Sequence, residues 1–127
     1  MAFTTQAGAS STDYTTLLGT DLADSAAITN DLLEIDGLAG NDSVTAASAR
    51  DSIKFNGRAG NDTAIFSGDL TKATLTGGLG NDTFGFQDVS GTVAGGDGAD
   101  SVSVVRSTET SKITGAGGAD IIAVTLN

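Results

Sequence analysis

Six aspartates recur along the chain at Asp24, Asp42, Asp62, Asp82, Asp100 and Asp120, spaced by 18, 20, 20, 18 and 20 residues. Each of the last five closes a glycine-rich run. The runs are Gly37-Leu-Ala-Gly-Asn-Asp42, Gly57-Arg-Ala-Gly-Asn-Asp62, Gly77-Gly-Leu-Gly-Asn-Asp82, Gly95-Gly-Asp-Gly-Ala-Asp100 and Gly115-Ala-Gly-Gly-Ala-Asp120. A degenerate copy, Gly19-Thr-Asp-Leu-Ala-Asp24, precedes them. Glycine allows a backbone to turn its carbonyls toward a common point. Carboxylate and carbonyl together are an all-oxygen donor set, which suits a hard cation, and the flexible spacing favours Ca²⁺ over octahedral Mg²⁺. The chain has no Cys and no His, which excludes thiol catalysis, imidazole acid–base chemistry and zinc or copper sites. Ser and Thr are abundant, but no base accompanies them, so a hydrolytic triad cannot be built. Paired carboxylates can hydrolyse glycosides, yet here the aspartates are accounted for as ligands. An enzyme is not expected.

The elements that hold these turns follow from the residues on either side. After each Asp, alternate positions form one column of Val44, Ala64, Phe84, Val102 and Ile122, and a second of Ala46, Phe66, Phe86, Val104 and Val124. Two residues before each leading Gly runs a third column: Leu17, Ile35, Phe55, Leu75, Val93 and Ile113. The positions between are mostly Ser and Thr. Alternation with period two means half-buried strands. No window carries apolar residues at helical spacing, and the glycines would break a helix. A single 20-residue coil cannot close a core, but coils stacked as parallel strands about 4.8 Å apart bury a continuous column. The expected fold is all-β: a right-handed parallel β-solenoid of about six coils and two sheets. Residues 19–127 form the solenoid, and residues 1–18 form an N-terminal cap or donor-strand segment.

Sixteen acidic residues against six basic ones give a formal net charge of −10 in 127 residues. That balance argues against nucleic acid and anionic lipid surfaces, which need clustered Lys or Arg. No apolar stretch approaches the ~20 residues needed to span a bilayer, so membrane insertion is not expected. Stacking places the aspartates in a ladder on one edge, where carboxylates about 5 Å apart repel by roughly 3 kcal/mol at an effective dielectric of 20. Cations between the rungs relieve that repulsion. Six turns define five gaps, and about four to five Ca²⁺ per chain are expected. The turn ending at Asp24 and the one beginning at Gly115 should hold them least well. Asn41-Asp-Ser, Asn61-Asp-Thr and Asn81-Asp-Thr match glycosylation acceptors, but turn chemistry accounts for them without sugar.

The runs resemble the repeats-in-toxin (RTX) signature G-G-x-G-x-D-x-U-x, with U a large apolar residue. Gly77–Gly85 and Gly95–Ser103 match it outright, and the copies at 37, 57 and 115 lack the second Gly, having Leu38, Arg58 and Ala116. The resemblance covers roughly residues 19–127. It implies an RTX-like β-roll with calcium-binding turns, each ion taking backbone oxygens and an Asp carboxylate from adjacent coils. Carried over position by position, the implied metal residues are Gly37, Ala39, Gly40 and Asp42, then Gly57, Ala59, Gly60 and Asp62. Next come Gly77, Leu79, Gly80 and Asp82, then Gly95, Asp97, Gly98 and Asp100. The last set is Gly115, Gly117, Gly118 and Asp120, with Asp24 from the degenerate turn. The chain departs from the family in one respect. The return turns at 47–52, 68–72, 88–91 and 106–111 lack the signature, so calcium should line one edge only. Ice binding is not expected, because the third turn position reads Ala39, Ala59, Leu79, Asp97 and Gly117 rather than Thr.

The resemblance further implies type I secretion and a location outside the cell or on its surface, with folding driven by calcium there. Two functions from different classes follow. One is a calcium-binding structural protein that assembles head to tail, as a homo-oligomer, into a filament or surface layer. Open solenoid ends and the segment Phe3–Ala7, able to add as a strand to a neighbour, favour it. The other is a folding and secretion module of a larger adhesin, surface-layer protein, toxin or exoenzyme. Binding to cell-surface polysaccharide is a weaker expectation, since Tyr14 and five Phe are the only aromatics.

Overall fold

The computed structural model describes residues 4–6, 15–28, 31, 33–105 and 111–125. Every regular element among them is a strand: β1 (Thr4–Gln6), β2 (Thr15–Leu18), β3 (Ser25–Ala27), β4 (Leu33–Asp36) and β5 (Ser43–Ala46). There follow β6 (Arg50–Asp51), β7 (Ile53–Ala59), β8 (Thr63–Phe66), β9 (Leu70–Leu79) and β10 (Thr83–Phe86). The last are β11 (Val89–Asp97), β12 (Ser101–Val104), β13 (Ser111–Gly117) and β14 (Ile121–Val124). One sheet runs β1-β2-β4-β7-β9-β11-β13, with β6 also paired to β9; the other runs β14-β12-β10-β8-β5-β3. From β2 onward, and apart from the short β6 ahead of β7, successive strands alternate between the sheets and pair in parallel with their counterparts in adjacent coils. The result is a right-handed parallel β-solenoid with two sheets.

The register makes the apolar columns true neighbours. Val44 pairs with Ala64, Ala64 with Phe84, Phe84 with Val102 and Val102 with Ile122. On the opposite sheet Leu17, Ile35, Phe55, Leu75, Val93 and Ile113 align in the same way. Val44, Ala64, Leu75, Val93 and Val104 are fully buried. Small sits over large where space demands it: Ala64 lies next to Phe84, whose ring meets Phe55 of the facing sheet edge-on at 6.3 Å. Phe66 and Phe86 stack at 5.8 Å. Burial stops at the last rung. Ile122 and Val124 are 44% and 45% exposed, against 1% and 0% for Val102 and Val104 one coil earlier.

At the other end, β1 pairs antiparallel with β2, Thr5 opposite Leu17, in a sheet otherwise parallel. Part of the segment expected to act as a donor strand thus lies along an edge of its own chain. Phe3, Ala7, Tyr14 and the return turn at 106–110 lie outside the described residues. No helix among the described residues is long and apolar enough to cross a membrane.

Candidate functional site

Each glycine-rich run forms the bend from a strand of the larger sheet to a strand of the smaller one, as residues 37–42 do between β4 and β5. Two positions of the run need a left-handed backbone. The fourth is always glycine: Gly40, Gly60, Gly80, Gly98 and Gly118, with φ between 109° and 148°. The second is Gly78 and Gly96 in the complete copies, and Leu38, Arg58 and Ala116 elsewhere, at φ of 73°, 70° and 86°. These three side chains accept a conformation that costs an L-residue roughly 1–2 kcal/mol, and the turn is conserved in shape despite them. Arg58 also pairs with Asp36 across adjacent rungs.

The closing aspartates do not line the outside of this edge. They point into it. Asp24, Asp42, Asp62, Asp82 and Asp100 are buried, at 1–2% exposure. From Asp42 onward, one oxygen of each closing aspartate belongs to a hydrogen-bond ladder. The amides of Asp24, Asp42, Asp62 and Asp82 donate to Oδ1 of the aspartate one rung later at 2.8 Å, and that of Asp100 donates to Asp120 Oδ1 at 3.0 Å. The expected like-charge column is therefore partly compensated by backbone donors.

The second oxygen is not. Oδ2 of Asp42, Asp62, Asp82 and Asp100 is buried with no hydrogen-bond partner. An unpartnered buried polar group costs about 1–3 kcal/mol, and more when charged. Each of these oxygens sits against the leading glycine of its own turn. A Cβ on Gly37, Gly57, Gly77, Gly95 or Gly115 would overlap the turn's own Asp Oδ2, and on Gly37, Gly57 and Gly77 also the carbonyl of the next leading glycine. The fourth-position carbonyls follow suit: those of Gly40, Gly60, Gly80 and Gly98 face the glycine one rung later. The third-position carbonyls of Ala59, Leu79, Asp97 and Gly117 each accept an inter-rung amide, at 2.6–2.9 Å, and keep a second lone pair. Among the described residues no three His, Cys, Asp or Glu side chains come together as a metal cluster. The donors brought together are one carboxylate oxygen per turn and main-chain carbonyls.

Charge at this edge is expensive. Burial, with the neighbouring Asp42 and Asp82 carboxylates adding to it, pushes Asp62 up to about 6. Burial likewise raises Asp42 and Asp82. Asp120, on the last rung, is only half-buried.

A second ladder was not read from the sequence. Asn41 Oδ1 accepts the amide of Asn61, Asn61 Oδ1 that of Asn81, and Asn81 Oδ1 that of Ala99, at 2.8–2.9 Å. It runs opposite in sense to the aspartate ladder beside it. The recurrence of Asn immediately before Asp was its only signal. Two surface grooves among the described residues lie elsewhere, one on the outer face of the larger sheet around Glu34, Lys54 and Arg58, the other at the return turns around Asp31, Arg50 and Asp51. Neither includes a ladder aspartate. Compared with protein-family models, with curated proteins and with solved structures, the chain matches none.

Proposed function

We propose that the chain is a secreted, calcium-binding structural protein whose solenoid folds as calcium enters the glycine–aspartate edge, and which then assembles end to end. The observation that carries the reading is the row of four buried, unpartnered carboxylate oxygens on Asp42, Asp62, Asp82 and Asp100. At Gly37, Gly57 and Gly77 a main-chain carbonyl of the next leading glycine lies beside the same point, and the resemblance to RTX turns points to the same residues. Calcium supplies the positive charge that such a row lacks, and its binding energy becomes folding energy. The chain's own residues do the rest. The leading glycines leave room for the carboxylate, the left-handed fourth-position glycines aim carbonyls along the stack, and the Oδ1 ladder fixes each carboxylate's rotation.

Self-assembly is supported by the last rung, where Ile121, Ile122 and Val124 are 65%, 44% and 45% exposed and β13 and β14 are edge strands. A second reading, a folding and export module of a larger secreted protein, is favoured by β1, whose antiparallel course ends the parallel stacking of one sheet. Thermal melts by circular dichroism in calcium and in EDTA test the shared claim. Loss of the sheet signal in EDTA is expected; identical melts overturn it. Negative-stain microscopy in calcium then separates the readings: filaments support assembly, and monodisperse particles support the module.

A further inference from the structure

The first turn differs from the five that follow, and the difference lies in how its aspartate is satisfied. Asp24 Oδ2 accepts two hydrogen bonds from Thr20, from the amide at 2.5 Å and from the hydroxyl at 2.9 Å. Thr20 Oγ1 in turn accepts the amide of Leu22 at 3.2 Å. Thr20 and Leu22 occupy the second and fourth positions of the run, which are left-handed in every later turn, and neither has a positive φ. The carboxylate has also left its glycine: the atoms nearest a Cβ on Gly19 belong to Gly37 and Asp36, whereas in each later turn the nearest is the turn's own Asp Oδ2. The oxygen of Asp24 that lacks a partner is Oδ1. That is the ladder oxygen, which elsewhere accepts an amide from the rung before and here stands at the start of the ladder.

We propose that Thr20 takes the place of the cation in the first turn, closing it with two donors where the later turns leave a carboxylate oxygen bare. Resting on the calcium reading above, this makes the first turn a metal-independent template on which the second rung, and then the rest, stacks as ions bind. Threonine suits the task because amide and hydroxyl of one residue reach the same carboxylate oxygen, while the hydroxyl still accepts from Leu22. The later turns carry Leu38, Arg58, Gly78, Gly96 and Ala116 at this position, none with a side-chain hydroxyl.

The sequence itself supplies the variant that tests this. Thr20→Gly with Leu22→Gly turns Gly19–Asp24 into Gly-Gly-Asp-Gly-Ala-Asp, identical to residues 95–100. Calcium bound per chain is measured by isothermal titration and by equilibrium dialysis, with circular dichroism confirming the fold. The double variant is expected to bind one ion more than the wild type. Asp24→Asn should leave the wild-type count unchanged, whereas Asp62→Asn should lower it by one. A drop of one ion in Asp24→Asn overturns the assignment, as does an unchanged count in a folded double variant. If the wild type binds no calcium at all, it is the calcium reading that fails, and that result is distinct from both.

Discussion

The two edges of the solenoid solve the same geometric problem, reversing the chain between sheets, by different chemistry. In its last five turns the glycine–aspartate edge repeats one solution: the same two left-handed positions, the carboxylate held against the leading glycine, the same inter-rung bonds. The return edge improvises. Ser52, Lys72 and Gly91 take left-handed φ at related points, and the register shifts between Val89 and Gly91. Its contacts around Asp51 join adjacent rungs at the exposed surface: Asp31 Oδ1 accepts the amide of Asp51, Thr71 Oγ1 donates to Asp51 Oδ1, and Lys72 lies 3.3 Å from Asp51 Oδ2. The hydrogen bond from Thr71, helped by Lys72, holds the Asp51 carboxyl below its ordinary range, whereas burial raises Asp42, Asp62 and Asp82 on the other edge. Fidelity of repetition marks the edge where one chemical requirement recurs in every coil. Where only the turn must be made, the residues drift.

Three measurements sharpen this contrast. The largest effect is expected from Gly77→Ala, whose Cβ would meet Asp82 Oδ2 and the Gly95 carbonyl. With a ladder bond pinning that carboxylate and the opposing group being backbone, a loss of about 3–5 kcal/mol is expected in a calcium-saturated melt. A melt within 1 kcal/mol of wild type, on the same scale, would show that the cradle is looser than described. Next comes pH in the presence of EDTA. An aspartate whose folded-state pKa is raised binds protons more tightly when folded, so its contribution falls as pH rises from the unfolded value toward about 6, the folded value of Asp62. The metal-free chain, which has lost its sheet signal at pH 7.5, should therefore recover part of it at pH 4.5, where the Asp62 carboxyl is protonated in the fold. Asp62→Asn should shrink that difference, being neutral at both pH values. A sheet signal in EDTA that grows as pH rises would contradict the assignment. The smallest effect belongs to the return edge: Asp51→Ala removes an exposed ion pair and should lower the melting point only slightly, and less still as salt rises. A loss rivalling that of Gly77→Ala would erase the distinction between the edges.

Much of this was legible before any coordinates. The columns from Leu17 to Ile113 and from Val44 to Ile122 are the paired neighbours of the two sheets, because strand alternation and a fixed repeat leave one register that buries both. The placement of the aspartates on one edge follows from the same repeat. What the sequence did not convey was the direction of their side chains. A turn residue's rotation depends on its neighbours' amides, and those are set only once rungs stack. Hence the Oδ1 ladder and the unpartnered Oδ2 emerge from the structure alone, as does the Asn ladder. The role of Thr20 was hidden for a related reason: a degenerate copy reads as a weakened motif, and only its hydrogen bonds show a different closure. The antiparallel course of β1 had no signal in a three-residue strand.

The two oppositely directed side-chain ladders have a mechanical consequence. Between the second and fifth rungs, a crack opening across the stack must break strand pairing, an aspartate bond and, from the second rung onward, an asparagine bond in the same step, so load is shared among links in parallel. Beyond Ala99 the asparagine ladder has ended, since Ala99 offers no side-chain oxygen to the amide of the next rung, and the last rung is fastened by one ladder fewer. Peeling under tension should begin there.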